Sequence, residues 1–117
     1  MKNKWFLVVN PTAGHGKGRK SWKEVEKLLQ QMDVAYDHVM SEHSGHIIEV
    51  TKAAIAKGYR KIAAVGGDGT AHEVVNGIFQ QTDVDPKELI FAVIPVGTGN
   101  DWIRTHKIPN NFKKAIL

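Results

Sequence analysis

The most informative segment of this sequence is Lys61-Ile62-Ala63-Ala64-Val65-Gly66-Gly67-Asp68-Gly69-Thr70. Residues 61–65 are mostly apolar and β-rich, which is typical of a buried strand. Downstream, Ala71, Val74, Val75 and Ile78 recur at the i, i+3, i+4 and i+7 spacing of one helix face. We therefore predict a strand, a glycine loop and a helix in direct succession, which is the repeating unit of a parallel sheet.

Outside this segment, the same alternation of strands and helices continues in both directions. We predict strands over Trp5–Val9, Ala35–Met40 and Ile90–Ile94, and helices over Gly18–Met32 and from a Ser44 N-cap to Gly58. Four strands alternating with helices indicate an α/β fold with an open parallel sheet and helices on both faces. Because we find no repeat or linker, residues 1–117 are expected to form one domain.

The composition is that of an ordinary soluble domain. The 117 residues include 16 Lys and Arg, 12 Asp and Glu, six His and no Cys, and 42% of them are hydrophobic. The absence of Cys excludes disulfides, thiol catalysis and zinc or iron–sulfur sites built on Cys. His43 and His46 have i, i+3 spacing without an evident third ligand, so no zinc site is expected.

Hydropathy and charge bear on location and partners. The longest apolar runs, such as Trp5–Val9, fall far short of the roughly 18 residues of a membrane span. The basic N-terminus is followed by too few apolar residues for a signal peptide, which predicts a cytoplasmic protein. The net charge of +4 suits phosphorylated ligands, nucleic acid or an anionic membrane surface. No recognised nucleic-acid motif is present, so we expect no nucleic-acid partner.

Three glycine-containing loops follow three of the four predicted strands, at residues 10–18, 66–70 and 97–101. In an open parallel sheet, ligands bind outside the carboxyl ends of the strands. Glycines permit positive φ and let backbone N–H groups approach an anion, and the helix after each loop directs its positive dipole end to the same region. One such loop is equally typical of a turn or a helix cap, but three together favour a phosphate site.

Two known phosphate fingerprints do not match these loops. In the first loop, Gly18 stands where a Walker A sequence requires Ser or Thr, and Pro11 stands where it requires the first glycine. The third glycine of a dinucleotide fingerprint is replaced by Arg19, His72 and Trp102 in the three loops. Binding of NAD in the Rossmann manner is therefore not expected.

The loops and their flanks resemble the three signatures of the diacylglycerol kinase catalytic domain, which sphingosine and ceramide kinases share. The matching segments are Val9-Asn10-Pro11-Thr12-Ala13-Gly14, Gly66–Gly77 and Pro95–Asp101. Their order, spacing and placement on the sheet agree over essentially the whole chain. The His-Glu-x-x-Asn extension of the middle segment is specific, whereas its Gly-Asp-Gly core is also similar to that of NAD kinases and phosphofructokinases. The resemblance implies a flavodoxin- or phosphofructokinase-like N-terminal domain.

The resemblance implies an ATP- and Mg²⁺-dependent kinase of lipid metabolism and phospholipid biosynthesis, which transfers the γ-phosphate of ATP to the hydroxyl of a lipid such as diacylglycerol. By motif match, the residues implied to bind the nucleotide are Asn10, Thr12, Ser41, Gly45, Gly66, Gly67, Asp68, Gly69, Thr70, Gly97, Thr98 and Gly99. Ser41 stands where threonine is commoner and retains the hydroxyl. Gly45 is implied to lie near the adenosine.

Two carboxylates are candidates for the chemistry of phosphoryl transfer, which requires charge neutralisation and alignment of the acceptor hydroxyl. Asp68 is the predicted catalytic residue, binding Mg²⁺ directly or through water or contacting the acceptor hydroxyl; the alternative is an Asx turn that caps the helix. Glu73, about one turn into the helix, suits a metal-bound water or a ribose hydroxyl, or it only complements the helix dipole.

The basic residues after the first loop have two interpretations. Lys17 and Arg19 are close enough to the loop to assist phosphates. Lys20, Lys23 and Lys27 are typical of a solvated helix face, although the whole patch would also favour peripheral association with an anionic membrane.

The last eight residues, 110–117, resemble the first two turns of a helix with an Asn cap and an apolar edge, and no terminator follows. We therefore expect the chain to be part of a longer protein. The resemblance implies a β-rich C-terminal domain that supplies the catalytic base and part of the acceptor site. Residues 1–117 alone are expected to bind nucleotide weakly and to transfer phosphate poorly or not at all.

Two other functions are compatible with the same residues. One is an NAD kinase-like phosphotransferase, which the Gly-Asp-Gly core favours and the first and third signatures oppose. The other is a non-catalytic nucleotide-sensing domain that has kept the fold.

Overall fold

The computed structural model describes residues 3–11, 18–41 and 45–95. In chain order, the elements are β1 (Trp5–Val9), α1 (Gly18–Gln31), β2 (Tyr36–Met40), α2 (His46–Lys57), β3 (Lys61–Gly66), α3 (Asp68–Gln80), a 3₁₀ turn (Pro86–Glu88) and β4 (Ile90–Pro95). The predicted alternation of four strands with helices is confirmed over these residues.

The four described strands form one parallel sheet in the order β2-β1-β3-β4. Val9 pairs with Met40 on one side and Val65 on the other, and Gly66 pairs with Pro95, so the strands end nearly level. From β1 the chain moves outward to β2 and then returns past β1 to form β3 on its other side. The order of the strands therefore reverses between β1 and β3, where parallel α/β sheets place their ligands.

Alternate residues of the strands fill two cores, one on each face of the sheet. On one face, Trp22, Val25 and Leu29 of α1 pack in a cluster with Leu7 and Val9. On the other face, α2 and α3 pack over the sheet. Helices cover both faces, as predicted, because the crossover from β1 to β2 runs in one direction along the sheet and those from β2 to β3 and from β3 to β4 run in the other. Right-handed crossovers in opposite directions place their helices on opposite faces.

The second face is built from residues of both helices and of the two central strands. Its buried cluster includes Ile47 and Ile55 of α2, Val74 of α3, Val8 of β1 and Ile62 of β3. Because both faces of the sheet are covered, the sequences of the central strands are continuously apolar and do not alternate between polar and apolar residues.

The element bounds differ from the predicted ones at a few residues. Gly66 is the last residue of β3, and α3 begins at Asp68. Of the predicted glycine loop, only Gly67 therefore lies between the strand and the helix. The N-cap of α2 is Gly45 in a left-handed conformation with φ of 87°, so the predicted Ser44 cap is wrong. Gly58 ends α2 as predicted, with a φ of 118° that favours glycine.

Candidate functional site

A side-chain hydrogen bond joins β1 to α3 across the point where the strand order reverses. The Asn10 side-chain amide donates to Thr70 Oγ1 at 3.2 Å. Asn10 is held after β1 by its own backbone N–H, which donates to Val65 O at 2.9 Å, and Thr70 is buried in the first turn of α3. The carboxyl ends of β1 and β3 are thus linked by side chains as well as by the sheet.

Gly66 makes this link sterically feasible. A Cβ atom on Gly66 would lie 2.3 Å from Thr70 Oγ1 and 2.8 Å from Thr70 Cβ. Any side chain at residue 66 would therefore displace Thr70 and the hydroxyl that accepts from Asn10. Glycine is required at residue 66 because a Cβ atom would collide with the Thr70 side chain.

Gly67 and Gly69 differ from Gly66 because the described residues leave space for a side chain at both positions. A Cβ atom on either residue would meet no heavy atom within 4 Å among the described residues, and both residues are exposed. The backbone of Gly67, with φ of −96° and ψ of −165°, is one that other residues also adopt. The described part of the fold therefore does not itself demand glycine at these positions.

The predicted reason for these glycines has to be corrected. Among the described residues, Gly45 and Gly58 are the glycines with positive φ, and Gly66, Gly67 and Gly69 are not among them. What the three residues have in common is the missing side chain, not a left-handed backbone. The space left at Gly67 and Gly69 is where a ligand could contact the main chain.

The start of α3 supplies hydrogen-bond donors beside that space. The first backbone bond of this helix runs from Ala71 N to Gly67 O, at 3.1 Å. The N–H groups of Asp68, Gly69 and Thr70 precede it and have no partner within the helix. Together with the positive end of the helix dipole, such N–H groups suit an anion.

The segment after β2 is attached to α3 by a carboxylate. Gly45 N donates to Glu73 Oε1 at 3.0 Å, so Glu73 holds the start of α2 against α3. Nearby, Ser41 N donates to Val9 O at 2.8 Å, which sets Ser41 at the end of β2 beside β1. The sequence predicted a dipole or ligand role for Glu73, and the contact with Gly45 is an additional one that only the structure reveals.

Asp68 is the first residue of α3 and is exposed. Gly67, not Asp68, is the N-cap of the helix, which removes the alternative that Asp68 caps it. Within the described part of the chain, no group of three or more His, Asp or Glu residues could hold a metal ion. A single carboxylate fits Mg²⁺ when phosphate oxygens and water complete the coordination.

The structure brings nine of the predicted site residues to one edge of the sheet. They are Asn10, Ser41, Gly45, Gly66, Gly67, Asp68, Gly69, Thr70 and Glu73. Thr12, Gly97, Thr98 and Gly99 lie outside the described residues, as do His43 and residues 110–117. A role in ligand binding stays a prediction for all of these residues.

Comparison with known proteins identifies the family of this chain. The model of the diacylglycerol kinase catalytic domain matches residues 4–117. The chain belongs to this family. The resemblance inferred from the three signatures is therefore confirmed, and the family is one of lipid kinases.

Individual relatives agree with this assignment of the diacylglycerol kinase domain. The chain is 39% identical over 107 residues to "Putative lipid kinase YtlR" of Bacillus subtilis (strain 168), covering 89% of this chain and 33% of that protein. It is 30% identical over 116 residues to a diacylglycerol kinase of Staphylococcus carnosus (strain TM300), covering 99% of this chain and 37% of that protein. The chain thus spans about a third of the length of these curated relatives.

A solved structure shows the same fold. The crystal structure of a diacylglycerol kinase from Bacillus anthracis str. Sterne matches with a TM-score of 0.67 and 28% identity, covering 97% of this chain and 40% of that one. The predicted fold class is confirmed by this similarity and by the parallel sheet. In the described part of this diacylglycerol kinase domain, no helix has the length and apolar character needed to cross a membrane.

Proposed function

We propose that this domain binds ATP at the carboxyl edge of its sheet and serves a kinase that transfers the γ-phosphate to a lipid hydroxyl. The observation that carries the proposal is the space that the described residues leave at Gly67 and Gly69, beside the N–H groups of α3 that precede its first intrahelical hydrogen bond. It lies at the reversal of strand order, where this fold class binds ligands. Membership of a lipid kinase family supports the same conclusion.

In this proposal, the triphosphate lies against the backbone of Gly67 and Gly69. Its negative charge is stabilised by the N–H groups and the dipole of α3. The hydrogen bond from Asn10 to Thr70 holds the first turn of α3 in place against β1. Thr12, Gly97, Thr98 and Gly99 complete the nucleotide site by motif match.

The adenosine is placed beside the segment after β2. Ser41 and Gly45 are the residues that would contact it, and Glu73 keeps Gly45 in position through the 3.0 Å hydrogen bond. Loss of this carboxylate would remove the acceptor that positions Gly45 N, while the packing of α2 against α3 would remain. Glu73 therefore acts on the nucleotide mainly through Gly45.

Asp68 would hold Mg²⁺ that is also bound to phosphate oxygens. The metal neutralises charge that develops on the transferring phosphoryl group. Asp68 is exposed at the head of α3, so its carboxylate is accessible to a hydrated ion.

The acceptor is proposed to be a lipid such as diacylglycerol, because relatives are named diacylglycerol and lipid kinases. Since the chain spans about a third of these relatives, we propose that residues outside 1–117 supply the catalytic base and much of the acceptor site. We propose a cytoplasmic location, because too few apolar residues follow the basic N-terminus for a signal peptide. The net charge of +4 favours peripheral association with anionic membranes.

Calorimetric titration with Mg-ATP and Mg-ADP tests the nucleotide site, with Gly67→Val as the diagnostic variant. The extended backbone of Gly67 accepts a β-branched residue, and its Cβ would meet no described atom within 4 Å. Because Gly67 is the N-cap of α3 and valine is a poorer N-cap than glycine, we expect the midpoint of thermal unfolding to fall by a few degrees. Nucleotide affinity should fall by at least about tenfold, equal to about 1.4 kcal/mol. Lys87→Val, on the exposed 3₁₀ turn, is the matched control.

Two results would contradict the proposal. Unchanged affinity in Gly67→Val would exclude the α3 site, and no binding at millimolar nucleotide would exclude a nucleotide site within this chain. The acceptor is tested separately with the whole kinase that carries this domain, by product analysis with diacylglycerol and with NAD. Phosphorylated NAD would favour the NAD kinase-like alternative, and nucleotide binding without any transfer would favour a sensing domain.

A further inference from the structure

An apolar groove lies between α3 and β4, the last described strand on its side of the sheet. It has a volume of about 230 Å³ and is lined by Val75, Ile78, Phe79, Pro86, Leu89 and Phe91. We call it the α3–β4 groove. None of these residues belongs to the predicted nucleotide site.

One side of α3 connects the groove to the candidate phosphate site. Four residues of this helix are spaced so that they lie within about 60° of one another around its axis, namely Asp68, His72, Val75 and Phe79. Gly77, which packs against α2, lies on the opposite side of α3. The groove and the carboxylate proposed to hold Mg²⁺ therefore share one side of the helix.

This side of α3 changes from polar to apolar along its length. Asp68 and His72 are exposed, and Val75 is half-buried. Phe79 is 69% exposed, which is unusual for a side chain of this size and apolarity. At a rise of 1.5 Å per residue, Val75 lies about 10.5 Å and Phe79 about 16.5 Å from Asp68 along the helix axis. The surface therefore matches an elongated ligand that is polar at one end and apolar at the other.

Strand β4 extends the apolar surface from the groove towards the carboxyl edge of the sheet. Phe91 lines the groove, and Val93 lies on the same face of the sheet because side chains alternate along a strand. Both side chains are half-buried, and β4 contains no charged residue. Since β4 runs towards the carboxyl edge, Val93 lies between the groove and that edge.

We propose that the α3–β4 groove binds an acyl chain of the lipid acceptor, with the polar end of that lipid beside Asp68. This inference rests on the function proposed above and adds to it a lipid subsite built from residues of α3 and β4. The size of the groove agrees with one chain. An engineered protein cavity of about 150 Å³ binds benzene, so about 230 Å³ takes about nine carbon atoms. One chain spans about 15 Å, half of a bilayer's hydrocarbon core, which is close to the distance from Asp68 to Phe79.

Charge at the two ends of this surface sets the direction of the lipid. The connection from α3 to β4, which supplies two lining residues, carries three exposed carboxylates against one lysine, at Asp83, Asp85, Glu88 and Lys87. These carboxylates disfavour an anionic headgroup at that end, whereas the positive end of the α3 dipole lies at the other. The methyl end of the chain therefore lies beside the acidic connection, and the polar end lies at the carboxyl edge.

Equilibrium titration with dioctanoylglycerol, below the concentration at which it forms micelles, tests the groove. The diagnostic variant is Phe79→Ser, and the matched control is Gln80→Ser. Both residues are exposed on α3, but Gln80 does not line the groove and lies about 100° further around the helix. Because neither replacement removes a buried side chain, both variants should fold.

We expect Phe79→Ser to weaken binding of dioctanoylglycerol at least about fivefold, because the aromatic ring no longer covers the chain. Gln80→Ser should change the affinity by less than about twofold. Equal affinities in the two variants would overturn the proposal. A dimer of the unsubstituted chain that Phe79→Ser dissociates in sedimentation would also overturn it and would identify a second copy as the occupant.

The length of the acyl chain gives a second measurement. Affinity should rise at least about tenfold from dibutyrylglycerol to dioctanoylglycerol, because the additional methylene groups enter the groove. The rise should be smaller in Phe79→Ser than in Gln80→Ser. Affinity that does not depend on chain length would overturn the proposal.

Titration of the same variants with Mg-ATP separates the groove from the nucleotide site. Phe79 lies about 16.5 Å along α3 from Asp68, so both variants should bind Mg-ATP with unchanged affinity. Mg-ATP binding without lipid binding that depends on chain length would overturn the groove and leave the nucleotide site in place. Lipid binding that depends on Phe79, without any Mg-ATP binding, would support the groove and contradict the nucleotide site.

Discussion

Thr70 connects three parts of the candidate site through one buried side chain. Its hydroxyl accepts from Asn10 after β1, and its side chain fills the space that Gly66 leaves at the end of β3. It also lies in the first turn of α3, next to the N–H groups proposed to bind phosphate. Exchange of the hydroxyl oxygen for a methyl carbon at this residue should therefore affect both stability and ligand binding.

Replacement of Thr70 by Val removes the acceptor while keeping a branched side chain. We expect the free energy of unfolding to fall by about 1 kcal/mol, the usual cost of a lost hydrogen bond at a buried site. Urea unfolding measures this change. Thr70→Ser retains the hydroxyl and should recover most of the Mg-ATP affinity that Thr70→Val loses; equal affinities in the two variants would show that the hydroxyl does not position the loop.

At the scale of elements, α2 and α3 pack closely because Gly77 has no side chain. A Cβ atom there would lie 2.8 Å from Thr51 Cβ and 3.0 Å from the carbonyl oxygen of Ile48. Both Gly77 and Thr51 are buried. The contact brings the N-terminal half of α2 close enough to α3 for Gly45 N to reach Glu73.

Two glycines of the same helix should respond oppositely to alanine. Gly77→Ala forces overpacking between α2 and α3, which costs about 1 to 3 kcal/mol. Gly69→Ala meets no described atom within 4 Å and improves helix propensity, so stability should be unchanged or slightly higher. Thermal unfolding measures both variants.

Nucleotide titration of the same two variants separates packing from binding. Gly69→Ala should weaken Mg-ATP binding because its methyl group enters the space proposed for phosphate. Retention of full affinity in a stable Gly69→Ala variant would count against that space as the phosphate site.

At the scale of the whole molecule, side-chain contacts join different strands and helices at both edges of the sheet. The hydrogen bonds from Asn10 to Thr70 and from Gly45 to Glu73 lie at the carboxyl edge. At the amino edge, the Tyr59 hydroxyl donates to the Asp37 carboxylate, and Lys4 Nζ lies 3.3 Å from the same carboxylate. These three residues belong to β2 and to the segments before β3 and β1, so the cluster spans three neighbouring strands.

This cluster should make global stability depend on pH. The hydrogen bond from Tyr59, and then Lys4, holds the pKa of Asp37 below its ordinary value, while the bond to Asp37 raises the pKa of Tyr59. A lowered carboxyl pKa contributes stability above the unfolded pKa of about 3.9, and this contribution is lost as pH falls through the folded value. The raised tyrosine pKa contributes stability below about pH 10, and this contribution is lost as pH rises through the folded value.

A double-mutant cycle of Tyr59→Phe and Asp37→Asn measures this contribution. Because Asp37 is partly exposed, we expect a coupling energy of about 0.5 to 1 kcal/mol at pH 7 in urea unfolding. The coupling should shrink as pH falls from about 4 towards 2. A coupling that is the same at both ends of this range would show that ionisation of Asp37 does not contribute.

Many of the strands and helices could be predicted from the sequence, because these elements depend on the local periodicity of apolar residues. The apolar run at Trp5–Val9 is a strand with the predicted bounds, and Gly58 ends α2 as predicted. The chemistry of the three loops was also sufficient to recognise the family. These features require only the residues of one segment or motif.

Other features depend on residues far apart in sequence, and no periodicity encodes them. The glycines at 66 and 77 are required by side chains of other turns or helices, not by positive φ. The contacts of Asn10 with Thr70 and of Gly45 with Glu73 join positions 60 and 28 residues apart. The N-cap of α2 is Gly45 rather than the hydroxyl residue before it, in a segment attached to α3 through Glu73. Spacing along the chain specified which residues gather at the carboxyl edge, whereas packing between α2, α3 and the sheet specified which of them touch.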